Sequence, residues 1–161
     1  MILQYFKKKE NKEQIIAREQ YKKIIFESKI FLNENDFFIE KNYNISFEIV
    51  SIFLIMFIRK NLLEFNRELF LKVNDELTSL FISDIDESLR EKGIGDMSIG
   101  KYVKSYVKKF YFRISRFPKD NNLYNSKSFI EYLKITNLIK NDDYVNVSRK
   151  FNDKFVEFIN S

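Results

Sequence analysis

Two stretches of the chain carry the side chains that could do chemistry. Asp84, Asp86, Glu87 and Glu91 gather carboxylates near one helix end, and Lys101, Lys104, Lys108, Lys109, Arg113 and Arg116 follow with no acid between them. Carboxylates this close in sequence could hold a cation. On a helix, however, Asp84 and Asp86 fall on different faces, Glu87 lies beside Glu91 at i, i+4, and Arg90 can reach Asp86 or Glu87. That spacing favours an ion-paired helix end over a metal site. No other carboxylate pair stands out as acid and base, although packed helices can assemble one in space. The commoner catalytic groups are missing outright. With no His and no Cys there is no imidazole base, no Ser-His-Asp triad, no thiolate nucleophile and no disulfide. There is likewise no His-ligated haem or zinc and no Cys-ligated cluster. No cofactor is expected.

The basic stretch is the stronger candidate, and its chemistry is binding. Lys101, Lys104 and Lys108 share one helix face at i, i+3, i+7, opposite an apolar stripe. Each such residue contributes ~1 kcal/mol near an anionic membrane, so the face suits weak, salt-sensitive contact with a membrane or a ribosome. A plain solvated outer face explains the same pattern equally well. Tyr102, Tyr106 and Tyr111 interleave with the bases, which also fits RNA, but no RNA-binding motif accompanies them.

Between the two charged stretches lie Gly93, Gly95 and Gly100, the only glycines of the protein. Gly93 follows Leu89-Arg90-Glu91-Lys92 where a helix should stop, which predicts a left-handed residue just past its end. Asp96 is placed to cap the next helix. Gly100 then falls in the first turn of that helix, where it is less favourable than Ala by ~1 kcal/mol. A close approach at Gly100, by a packed helix or a ligand, is therefore expected. The spacing is wrong for a dinucleotide fingerprint or a P-loop.

The pattern Asp84-x-Asp86-x-x-Leu89-Arg90-Glu91-x-Gly93-x-Gly95-Asp96-x-x-Ile99-x-Lys101-x-Val103-Lys104, ending in Phe110-Tyr111-x-Arg113, resembles the ubiquinol–cytochrome c chaperone family. Upstream, Phe47-Glu48-Ile49 through Ile58-Arg59-Lys60 is similar to that family's apolar helix ending in basic residues. The resemblance covers roughly residues 21 to 117, leaving about 120 to 161 as a C-terminal helical extension. Two positions depart from the family pattern: Phe112 stands where a Gly is usual, and Ile52-Phe53-Leu54 where a His is common. The family includes the assembly factor that escorts newly made cytochrome b into the bc1 complex. The resemblance therefore implies a non-catalytic chaperone that binds cytochrome b before haem insertion and subunit joining. It implies a place in the cytoplasm, peripheral to the inner membrane on the matrix-equivalent side. A ribosome and a small helical partner subunit are further partners it allows; DNA is not expected. The partner-binding residues it implies are Asp86, Arg90, Gly93, Gly95, Asp96, Gly100, Lys101, Lys104, Lys108 and Arg113.

Positioning these residues falls to helices. The chain has 161 residues, long enough for one domain with one core, and 18 Phe and nine Tyr with no Trp to fill it. A net charge of +5 permits an anionic partner. The apolar start Met1–Phe6 is too short for a signal peptide, with charges following at Lys7-Lys8-Lys9-Glu10, and residues 1 to 12 read as a polar terminus. Helical spacing runs from about Glu13 to Leu32, and Asn33-Glu34-Asn35-Asp36 breaks it. Asn44 or Ser46 can cap the next helix, with Glu48 in its first turn. Its apolar run from Phe47 to Arg59, about thirteen residues, rises ~20 Å against ~30 Å of hydrocarbon, so a buried central helix is expected, not a membrane span. A stripe from Phe65 through Leu89 predicts a helix over about Leu62–Lys92, bent near Asn74-Asp75. The basic helix ends before Pro118. Ser128-Phe129-Ile130-Glu131 has capping-box spacing for a helix to about Ile139, and a last helix runs from Val147 or Ser148 to Asn160. The expected architecture is all-α, a compact single-domain bundle of about six helices. Two other classes stay open from the residues alone: a basic RNA- or ribosome-binding protein, and a helical enzyme with carboxylates facing an apolar pocket for a lipid-like substrate.

Overall fold

The computed structural model describes residues 9–161. The expectations for Met1–Phe6, and for the polar terminus as far as Lys8, lie outside the described residues. Among the described residues six helices follow one another: α1 Lys12–Glu34, α2 Tyr43–Leu62, α3 Arg67–Glu91, α4 Asp96–Arg116, α5 Lys127–Thr136 and α6 Tyr144–Asn160. No strand occurs among the described residues, and the fold is all-α as the periodicity predicts.

The apolar run of α2 makes it the axis of the bundle. Every residue from Phe47 to Phe57 except Val50 is buried, and α1, α3, α4 and α6 all pack on it. Rings knit the layers together: Phe53 meets Phe31 of α1 at 5.3 Å and Phe158 of α6 at 5.2 Å, and Phe47 stacks on Phe81 of α3 at 5.6 Å. Buried residues of all six helices contribute to this hydrophobic core. The connectors are tied as well. Ile39 N donates to Leu138 O at 2.8 Å and Lys140 N to Phe37 O at 3.0 Å, an antiparallel bridge that clamps the α1–α2 link to the α5–α6 link.

Several helix ends fall elsewhere than the sequence suggests, each for a local reason. The cap of α2 is Asn42, whose side chain accepts from Ile45 N, so neither Asn44 nor Ser46 caps it and Glu48 stands beyond the first turn. The expected helix from Leu62 to Lys92 is split. α2 runs through Leu62, a turn follows, and Asn66 caps α3 by accepting from Leu69 N; α3 then continues unbroken through Asn74. Phe65, counted in the apolar stripe, lies in that turn and is fully exposed. Ser126, not Ser128, caps α5, and Asp143 caps α6 ahead of Val147. Phe117 leaves α4 in an extended conformation, as the residue before a proline must.

Candidate functional site

The corner between α3 and α4 is built by the glycines and bridged at its surface by an arginine. Gly93 has φ +90, the left-handed conformation expected of it. Its N–H donates to Arg90 O at 2.9 Å, and Ile94 N donates to Leu89 O at 3.2 Å. These two bonds form a Schellman motif, which satisfies the last carbonyls of α3 and folds Ile94 back over Leu89. Gly95 is the cap residue of α4 and supplies no side chain. Asp96, expected to be that cap, is instead the first residue of the helix. Its carboxylate favours the helix N-terminus there and pairs with the Arg90 guanidinium, which also donates to Asp86 at 2.6 Å. Arg90 is exposed, and hydrogen bonds to Asp86 and then Asp96 hold its charge more firmly than usual. The corner is thus an exposed acidic–basic–acidic clasp.

The acidic cluster divides at this point. Asp84 turns inward and accepts from Tyr21 OH at 2.6 Å, whereas Asp86 turns outward to Arg90. They lie on different faces, as helical spacing requires.

The basic helix divides too. Lys101, Lys104 and Lys108 are exposed on one outer face, and with Gly100 and Ser105 they line a shallow trough of about 520 Å³. No acid among the described residues lies within ion-pair distance of these three. Gly100 faces open space: a methyl group there would meet nothing within 4 Å. The close approach expected at Gly100 does not come from the protein's own helices.

Arg113 is not on that face. It is buried, and its Nε and Nη2 donate to the two carboxylate oxygens of Glu48 at 2.8 and 2.7 Å. Lys109, half-buried, meets the same carboxylate at 3.0 Å. Burial works against the Arg113 charge, but hydrogen bonds and attraction from Glu48 outweigh it and hold the guanidinium above its ordinary value. Tyr132 of α5 is fully buried beside this pair, which pushes its phenol far up. A basic residue implied as partner-binding is therefore an internal brace between α2 and α4. The sequence signal for it was Glu48, an acid within a run that is otherwise buried and apolar: such a charge needs a partner inside the fold.

The interleaved tyrosines separate in the same way. Tyr102 and Tyr111 are exposed, but Tyr106 donates to Asn44 Oδ1 at 2.8 Å and packs edge-on against Tyr43 and Phe47. Only two of the three can stack on an outside partner.

A polar ladder went unread in the sequence. Asn61 Nδ2 donates to Gln20 Oε1 and to Asn74 Oδ1, both at 2.8 Å, while Gln20 Nε2 returns a bond to Asn61 Oδ1 at 2.9 Å. Asn74 Nδ2 then reaches Ile58 O at 3.2 Å. Every group is satisfied, so the ladder fixes the register of α1, α2 and α3 and serves no chemistry.

A cavity of about 290 Å³ opens between α1, α2 and α3, walled by Ile25, Phe47, Val50 and Phe81. It has one carboxylate, Asp84, already engaged by Tyr21. An enzyme acting on a lipid-like substrate would need more. The cavity is also far too small for a membrane helix, a cylinder roughly 10 Å across and ~30 Å long.

Residues 35–119 match the family described as ubiquinol-cytochrome C chaperone. The match takes in α2, α3 and α4 with their corner, spans just over half of the chain, and leaves α1, α5 and α6 outside. Comparison with curated proteins and with solved structures gave no match.

Proposed function

Because the chain belongs to the ubiquinol–cytochrome c chaperone family, we propose that it is a non-catalytic assembly chaperone of the cytochrome bc1 complex. In this reading it holds newly made cytochrome b until haem insertion and subunit joining. The observation that carries the reading is the match over residues 35–119, the segment that contains the glycine corner and the basic helix.

The geometry suggests how the work is divided. Asp86, Arg90 and Asp96 shape the surface of the corner, with Gly93 and Gly95 making its turn. Gly100, Lys101, Lys104 and Lys108 form the open contact face, and the bare backbone at Gly100 lets a partner come close. Arg113 acts only through Glu48, by fixing α4 against α2. With the inner cavity too small for a membrane helix, the apolar client is met at the outer surface. No described helix is long and apolar enough to cross a membrane. Contact with the inner membrane is then peripheral, through lysines that each add ~1 kcal/mol near anionic lipid. A ribosome and a small helical subunit are further partners consistent with the family.

The test is deletion of the gene in its native host, read by the reduced-minus-oxidised difference spectrum of washed membranes. The b- and c1-type signals of the bc1 complex should be lost while other cytochromes remain. An unchanged spectrum with intact ubiquinol oxidation refutes the role.

A further inference from the structure

The turn between α2 and α3 holds apolar side chains that nothing in the fold covers. Residues 62–66 are all exposed, Leu63 to 60% and Phe65 completely. Leu63 ends α2 and Asn66 caps α3, so both side chains stand where the chain reverses at one end of the bundle. Apolar residues scattered singly over a surface need no explanation. Two at the apex of one turn, with cations behind them, do.

Those cations are short of partners. Lys60 lies one helical turn behind Leu63 on α2, ~5 Å by helical rise, with Arg59 beside it, and Arg67 opens α3 across the turn. None of the three is within ion-pair distance of a carboxylate among the described residues. Arg59 rests against the Phe117 ring at 5.0 Å, and Lys60 lies over the Phe57 ring at 5.6 Å and donates to Ser161 O at 3.1 Å. Burial draws the pKa of both Arg59 and Lys60 down, and the nearby charge of Lys23 lowers Lys60 further. Glu64, within the turn, offsets this for Lys60 only in part. An anion brought to this end of the bundle therefore meets unpaired positive charge.

The layering decides which anion. An apolar apex with cations ~5 Å behind it matches the profile of an anionic bilayer. Interfacial segments bury their apolar side chains about 5–10 Å deep, while basic heads stay level with the lipid phosphates. A protein partner would need a pocket shaped to a projecting turn; lipid yields to one.

We propose that the α2–α3 tip inserts Leu63 and Phe65 into an anionic phospholipid surface, with Lys60 and Arg67 at its phosphates. The lysines of α4 supply attraction alone, whereas the tip adds apolar anchorage. The inference rests on the peripheral membrane contact proposed above and gives it a place in the fold. Its test uses protein-free vesicles, so its failure would leave the chaperone reading standing.

The chain has no Trp, so Phe65→Trp puts a sole indole at the tip of the full chain. It is titrated with mixed vesicles of phosphatidylcholine and phosphatidylglycerol. The emission should shift to the blue and be quenched by lipids brominated on the acyl chains. Affinity should fall at least about tenfold on phosphatidylcholine alone, and about fivefold with either Lys60→Gln or Arg67→Gln. Phe65→Ser, at a fully exposed position, should weaken cosedimentation with the mixed vesicles at least about tenfold. The blue shift at saturating vesicles should survive Lys101→Gln/Lys104→Gln/Lys108→Gln, and its loss there would move the contact to α4 and overturn the proposal. An indole that stays in water at saturating vesicles overturns it as well, as does equal affinity for neutral vesicles.

Discussion

Two of the arginines paired with carboxylates in this protein, Arg90 and Arg113, have opposite fates. Arg90 bridges Asp86 and Asp96 on the open corner, with nearly half of its side chain in solvent; Arg113 meets Glu48 inside, with 7% of its side chain exposed and 2% of the carboxylate's. Exposed pairs gain little, because water and salt screen them and two mobile side chains must be held. A buried pair is different: removing one member leaves a charge with no water and no partner. The same chemistry therefore braces the fold in one place and shapes a surface in the other.

The largest effect should come from splitting the buried pair. Arg113→Met leaves Glu48 with only the partial help of Lys109 and should cost about 3 kcal/mol or more in chemical denaturation. The double variant Glu48→Leu/Arg113→Met should recover most of that loss, since an apolar pair of similar volume needs no desolvation. Failure of the double variant to recover would make the pair a specific structural requirement and not merely a compensated charge. Next comes the polar ladder. Asn61→Leu strands both Gln20 and Asn74 and should cost about 1–3 kcal/mol by the same assay.

The glycines sharpen the contrast because their signs differ. Gly93→Ala must place a Cβ at φ +90 and should destabilise by about 1 kcal/mol. Gly100→Ala meets nothing within 4 Å and should stabilise the isolated chain by about 0.5–1 kcal/mol. If Gly100 serves a partner, that same variant gains in thermal stability while losing assembly activity in the host. The smallest effect belongs to the corner arginine: Arg90→Ala should leave the melting temperature unchanged within the error of a melt.

What could be read from the sequence follows the same inside–outside division. Periodicity revealed the central helix, the apolar stripes and the all-α class, because those signals lie within one helix. Gly93 was legible as a left-handed stop for the same reason. The turn after Leu62 was not: Leu62, Leu63 and Phe65 continue the apolar pattern with no Gly or Pro to punctuate it. Nor could spacing sort Arg113 from Lys108, since their difference depends on Glu48, 65 residues away along the chain. The Gln20–Asn61–Asn74 ladder was hidden too, because it depends on how separate helices meet.

The division between brace and face reduces to one experiment in the deleted host. The gene is replaced by the Lys101→Gln/Lys104→Gln/Lys108→Gln variant, first shown to match the wild type in helicity and melting temperature, and washed membranes are examined by difference spectroscopy. The b- and c1-type signals should stay depressed although the chaperone is folded and present. Full restoration of both signals would contradict the claim that the open lysine face is where this protein does its work.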